Sequence, residues 1–382
     1  MTARRLLLAA LVATGLVPAT VAAQSSQFGI RGLGLPGHAW SARTTGTAGA
    51  FAQFDGQSSE NPASIGNLPT FTAVFTVLQD FRSTTNPAGS TTGRDTGFPH
   101  FAVAVPVARS GFAVGLSFSA YADRDFALAS TDTLDIRGVR TPVFDTLTSL
   151  GGMSEIRVAV SKQVGGWILA VAGHGLTGSN RLSLARQFGD TLFQPGRQKS
   201  VLAYGGVGFS AGITGNIGKR IKAAAMVRAD GTLRVDGDSV RVRDMKMPVT
   251  VGAALAWQPS PRLSLAASAR RSTWSRSNDD LIANGGAGAE NTFALSAGAE
   301  LVTNATRSSE FPIRLGARYG TLPFLLPGVP QPKEYGVSAG TGFIFAYGRG
   351  GLDLSVERVW RSAGPAHTER VWIITTGVMV RP

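Results

Sequence analysis

The chain has 382 residues, no cysteine, 48 glycines and 43% hydrophobic residues, which excludes a disulfide-stapled scaffold and a lipoprotein anchored through cysteine. A mean hydropathy of +0.09 excludes a bundle of membrane helices, whose spans would raise it far higher. The formal charge of +13 would suggest nucleic acid in a cytoplasmic protein, but the N-terminus exports this chain, so no nucleic-acid partner is expected and the cations are left for anionic lipid headgroups or an anion-attracting lumen.

Arg4 and Arg5 open the chain, residues 6–17 form a short apolar core, and Val21-Ala22-Ala23 offers small residues for cleavage. This is the pattern of a secretory signal peptide over residues 1–23, cut near Ala23 and too short to span a membrane. The next stretch, 24–69, is rich in Gly, Ser and Ala without sustained alternation, and reads as an ordered, irregular unit with one short helix near 45–54. Gly32-Leu33-Gly34-Leu35-Pro36-Gly37 spells the dinucleotide fingerprint. It follows no strand and carries Pro where a helix must begin, so it reads as backbone freedom for tight folding. Asn61-Pro62 reads as a turn closed by the Asn side chain.

From 70 to 382 the chain alternates. In 248–275, Val249, Val251, Ala253, Leu255 and Trp257 share one side of a strand, Pro259-Ser260-Pro261 turns it, and Leu263, Leu265, Ala267 and Ala269 share one side of the return. Similar runs fall at 71–78, 100–107, 112–121, 154–164, 167–176, 201–214, 220–228, 291–302, 312–319, 335–347, 352–360 and 370–380. With the two of the first hairpin they make about 14, near the length a tilted spanning strand needs. Short connections (109–111, 165–166, 215–219, 259–261, 348–351) alternate with long polar ones (83–98, 123–152, 179–199, 231–246, 275–290, 321–333). Short turns on one side and long loops on the other predict an all-β, transmembrane antiparallel barrel in the outer membrane. Tyr121, Trp167, Trp257, Trp274, Tyr319, Tyr335, Tyr347, Trp360 and Trp372 lie near run ends, as aromatic girdles would.

Charge on the lipid face costs about 2–4 kcal/mol at the midplane, so charged residues out of phase with the apolar ones point inward. Arg314, Arg318, Asp353 and Glu357 are placed in the lumen by this rule, with Lys222 and Arg228. Two readings stay open: a network of ion pairs filling the barrel, or a path for an anionic headgroup, for which Arg314, Arg318, Lys222 and Arg228 are the candidate contacts. His38, His100, His174 and His367 have no ligand spacing, so neither a metal nor a cofactor is expected. No serine motif accompanies them, and the chain reads as a non-enzyme.

Several segments resemble the FadL/TodX-like family of outer-membrane transporters for long-chain fatty acids and other hydrophobic compounds. Arg43-Thr44-Thr45-Gly46-Thr47-Ala48-Gly49-Ala50-Phe51, then Asp55 and Asn61-Pro62-Ala63, looks like the family's glycine-rich stretch, acidic position and NPA triplet. Trp274-Ser275 ends the first hairpin in a similar way, and 312–319 with Pro323, Glu334 and 352–354 looks like the late P-x-R-x-G strand and hairpin. The resemblance implies a 14-stranded barrel whose segment 24–69 folds inward as a hatch plugging the lumen, with Gly46, Gly49, Asn61 and Pro62 as structural positions. It further implies passive uptake of hydrophobic or amphipathic molecules, with outer-membrane lipid, the hydrophobic ligand and the barrel-assembly machinery as partners. Two features depart from the pattern: the chain ends Met379-Val380-Arg381-Pro382 without a terminal aromatic, and the loop carrying an apolar ligand groove is not recognisable. A general or anion-preferring porin and a PorV-type barrel serving secretion or anchoring are the alternatives.

Overall fold

The computed structural model describes residues 26–136, 138–190, 192–238, 240–283, 286–303 and 311–382, so the signal peptide lies outside the described residues. Fourteen strands form the ring: β1 (Thr72–Asn86), β2 (Gly89–Val107), β3 (Phe112–Asp123), β4 (Val139–Val164), β5 (Trp167–Phe188), β6 (Gly196–Ile217), β7 (Ile221–Asp230), β8 (Val249–Trp257), β9 (Leu263–Ser272), β10 (Thr292–Val302), β11 (Pro312–Thr321), β12 (Lys333–Phe345), β13 (Gly350–Ser362) and β14 (Thr368–Val380). Each is antiparallel to the next, and β14 closes on β1 from Thr368 opposite Thr85 to Val380 opposite Ala73. All 14 predicted runs are strands. Alternation decides which way each residue faces: in β8, Val251, Ala253, Leu255 and Trp257 are exposed outward while Gly252 and Ala254 are buried. An apolar exterior around a polar interior suits lipid, and closure leaves no sheet edge to satisfy within it.

The long polar connections are less loop-like than their composition suggests. Residues 83–98 continue β1 and β2 to a tight turn. Residues 123–152 hold a hairpin of Phe126–Ile136 against β4, and 231–246 a hairpin of Thr232–Gly237 and Val240–Lys246 whose first strand pairs with β6. Thr- and Ser-rich chain solvated on both faces still pairs. Two aromatics leave the expected girdles: Tyr121 sits at a bulge in β3 and hydrogen-bonds Asp230 at 3.3 Å, and Trp274 is buried edge-on to Phe324. Trp167, Trp257 and Tyr347 remain exposed at the short-turn end, and Tyr335, Trp360 and Trp372 toward the other.

The N-terminal segment, described from Ser26 to Pro69, lies inside the ring. Its helix is only α1 (Ala42–Thr45), capped by the Ser41 side chain accepting from the Thr44 N–H, and not 45–54. Positive φ at Ala48 (51°) and Gly49 (86°) stops it, and a side chain at Gly49 would strike the Trp40 ring. The 3₁₀ turn Pro62–Asn67 is capped by Asn61, whose Nδ2 also donates to Ile213 O at 3.3 Å on β6. That turn packs on β2 to β6, and α1 on β12 to β14.

Leu315 on β11 is 59% exposed on the outer face. Leu315→Arg is expected to cost about 2–4 kcal/mol in urea unfolding from bilayers, with Leu315→Phe near neutral.

Candidate functional site

A cavity of about 620 Å³ lies between the N-terminal segment and the wall toward the long-loop end. Leu33, Trp40, Phe98, Met153, Trp274 and Phe324 give it apolar surface, and arginines and carboxylates line much of the rest. Its flank coincides with a break in the wall. The ladder of β2 with β3 stops at His100 opposite Ser119, and no pair among the described residues joins Gly89 to Pro99 to the following strand. Pro99 has no N–H to donate there. Beyond the break the free edge of β3 is taken by the N-terminal segment, with Leu35 opposite Asp123, Pro36 opposite Ala122, and the Gly37 N–H donating to Tyr121 O at 2.9 Å. Residues 96–99 and 119–123 both line the cavity, and Phe98 is 61% exposed beside them.

Three of the four candidate cations are buried in ion pairs. Arg314 lies 2.7 Å from Glu300 and 2.5 Å from Asp353, and Glu300 also binds Arg43 of α1 at 2.7 Å. Arg318 pairs with Glu334 and Glu357, each at 2.7 Å, and donates to His38 Nε2 at 3.0 Å. Burial, then the charge of Arg318, hold the His38 imidazole well below its usual pKa, so it is neutral and accepts that bond while stacked on Trp40. Arg228 pairs with Glu155 and with Asp230. Lys222 points inward but belongs to a second cavity of about 290 Å³ at the short-turn end, with Arg43, Lys219 and Arg220. The four are therefore not one binding site. Gly46 approaches the wall so closely that its Cβ would stand 3.1 Å from Gly340 Cα, and Pro62 opens the turn capped by Asn61.

Sequence reasoning missed most of the partners. Glu155, Asp230, Glu300, Glu334 and Glu369 sit at buried, inward strand positions, so the alternation that placed the arginines could have placed them too. Glu60 to Arg270 (2.8 Å), the Arg157 guanidinium to Ser59 O, and Ser26 to Glu369 tie the segment to β9, β4 and β14. His174 meets Ser210 Oγ at 2.9 Å and Asp230 Oδ1 at 3.4 Å, the order of a serine-hydrolase triad. Neither Ser210 nor His174 lines either cavity, and Asp230 is engaged by Arg228.

Removing one partner of a buried pair costs about 3–5 kcal/mol because the other charge is left uncompensated. Glu300→Ala leaves Arg43 without its carboxylate, whereas Arg314 keeps Asp353, so tryptic cleavage at Arg31 and Arg43 is expected to accelerate while the barrel stays heat-modifiable on gels. Unchanged protection would show that Glu300 does not hold the segment.

No protein-family model matches the chain, and no curated protein is similar to it. Solved structures are. A Pseudomonas aeruginosa FadL homologue superposes with a TM-score of 0.61 at 14% identity, covering 91% of this chain and 99% of its own. The monoaromatic hydrocarbon channel CymD gives 0.56 at 15%, covering 91% and 98%, and the Pseudomonas putida toluene transporter TodX 0.56 at 13%, again covering 91% and 98%. The chain therefore has the closed 14-stranded fold of the FadL/TodX-like channels.

Proposed function

We propose that the protein is an outer-membrane member of the FadL/TodX-like family and carries hydrophobic or amphipathic small molecules inward without energy input. In this reading residues 24–69 are the hatch, and cargo leaves the cavity sideways through the break between β2 and β3. The observation that supports it is the continuity of one part-apolar cavity with both edges of that break. A cavity of about 620 Å³ lies within the range of small-molecule sites. The hydrocarbon channels named above share the fold, and the family resemblance offers either such hydrocarbons or long-chain fatty acids as cargo. An open porin is disfavoured by the buried, ion-paired segment across the lumen.

Two measurements test the proposal. Protein purified from native membranes is expected to carry a bound apolar compound detectable by mass spectrometry. A stoichiometric protein partner instead would move the reading to secretion, and steady ion conductance to a porin. Second, His100 and Ser119 are the last ladder pair, so Pro99→Cys with Ala120→Cys sets a disulfide across the mouth of the break in a chain with no other cysteine. Oxidation is expected to slow N-phenylnaphthylamine uptake into proteoliposomes and reductant to restore it. Equal rates in both states would rule out this route.

A further inference from the structure

We infer that the cavity takes uncharged apolar compounds and turns away carboxylates, an inference that rests on the transporter reading and narrows its cargo. Nine acidic side chains and six arginines line the cavity, an excess of three acidic groups in a protein whose overall charge is +13. All six guanidiniums are already occupied: Arg82 by Asp80, Arg157 by Glu155, Arg228 by Glu155 and Asp230, Arg270 by Glu60, and Arg318 and Arg361 by Glu334. A ligand carboxylate would have to displace one of these protein carboxylates, and would leave that one buried without its cation.

The three surplus carboxylates, Asp95, Asp123 and Asp125, have no ion pair among the described residues and accept only backbone N–H groups: Asp95 from Thr96 at 2.8 Å, Asp123 from Asp125 at 3.2 Å, and Asp125 from Gly151. Their place matters more than their number. Asp95 stands on β2 beyond the last ladder pair, Asp123 ends the edge of β3 that Leu35 covers, and Asp125 follows it. All three line the cavity at the end where the break lies. Arg124, the nearest cation in sequence, is directed at the Tyr204 hydroxyl (3.5 Å) and does not line the cavity. Lys219, Arg220 and Lys222 belong to the short-turn cavity, on the other side of the N-terminal segment. Where these carboxyls are ionised, a like charge at the break is repelled with no unpaired cation beside them to offset it, while a hydroxyl or hydrocarbon pays no such penalty.

The test uses the full mature chain in amphipol at about pH 8, where dodecanoate is ionised. Displacement of bound Nile red by dodecanol, dodecylamine and dodecanoate is measured. Dodecanol is expected to displace the dye at about tenfold lower concentration than dodecanoate, and Asp95→Asn with Asp123→Asn and Asp125→Asn to narrow that ratio several-fold. Dodecanoate binding as tightly as dodecanol in the unaltered chain, which needs no variant to fold, overturns the inference and leaves the transporter reading intact. An unchanged ratio in a heat-modifiable triple variant overturns the role of these three residues. Failure of the dye and every probe to bind overturns the transporter reading and this inference with it.

Discussion

Hydrocarbon leaves no water to satisfy a backbone N–H or C=O, and the rest of the structure follows from that demand. It requires the ring to close, which β14 does along the whole of β1. Closure in turn assigns every second residue to lipid and every second to the lumen, so charge has only one place to go. The lumen holds it as interlocked pairs: Arg82, Glu369, Arg361, Glu334, Arg318 and Glu357 run across β1, β14, β13, β12 and β11, each guanidinium between carboxylates. Buried pairs of this kind add little net stability. Their effect is to fix where the N-terminal segment can sit, because Ser26, His38, Arg43, Glu60 and the Ser59 carbonyl find their partners at only one position.

Among the described residues the break between β2 and β3 is where the ring relaxes this demand, and it does so with help from the segment. Leu35 and Pro36 supply the pairing that β2 withdraws from β3, so the segment both fills the lumen and dresses the exposed edge. Close packing elsewhere keeps it in register. Gly316 has no side chain because Thr47 lies against it, and Gly298 admits Thr47 O, which would stand 2.9 Å from a Cβ there. Side chains at those two positions on β10 and β11 would push the segment off the wall.

Much of this was legible in the sequence, and the failures have physical causes. A period of two survives averaging over many strands, so all 14 appeared, and so did the inward direction of Arg314, Arg318 and Arg228. Loop lengths misled because composition reports solvation and not pairing: the polar 83–98 stretch is two paired strands, wet on both faces beyond the buried Thr84. Ion partners were hidden because register joins residues far apart in sequence, as with Arg314 and Asp353 or Arg43 and Glu300. Tyr121 faces inward because one extra residue in β3 shifts the phase, which no alternation rule foresees. The helix expected near 45–54 was displaced by positive φ at a non-glycine, Ala48, which local propensity does not suggest.

The same energetics choose between a sideways route and removal of the segment. The segment is internally braced: Asp55 Oδ2 accepts from Ser41 at 2.6 Å, Thr44 at 2.8 Å and Ser58 at 3.2 Å, so it moves as a unit if it moves. Moving it as a unit breaks Arg43 from Glu300 and Glu60 from Arg270, and takes the Ser59 carbonyl from Arg157, all together. Opening the break asks only that Leu35 to Gly37 release the edge of β3, a few backbone hydrogen bonds at about 1 kcal/mol each. In the proposed transport the sideways path is therefore the lesser disturbance, and it leaves the charge network that holds the barrel's contents untouched.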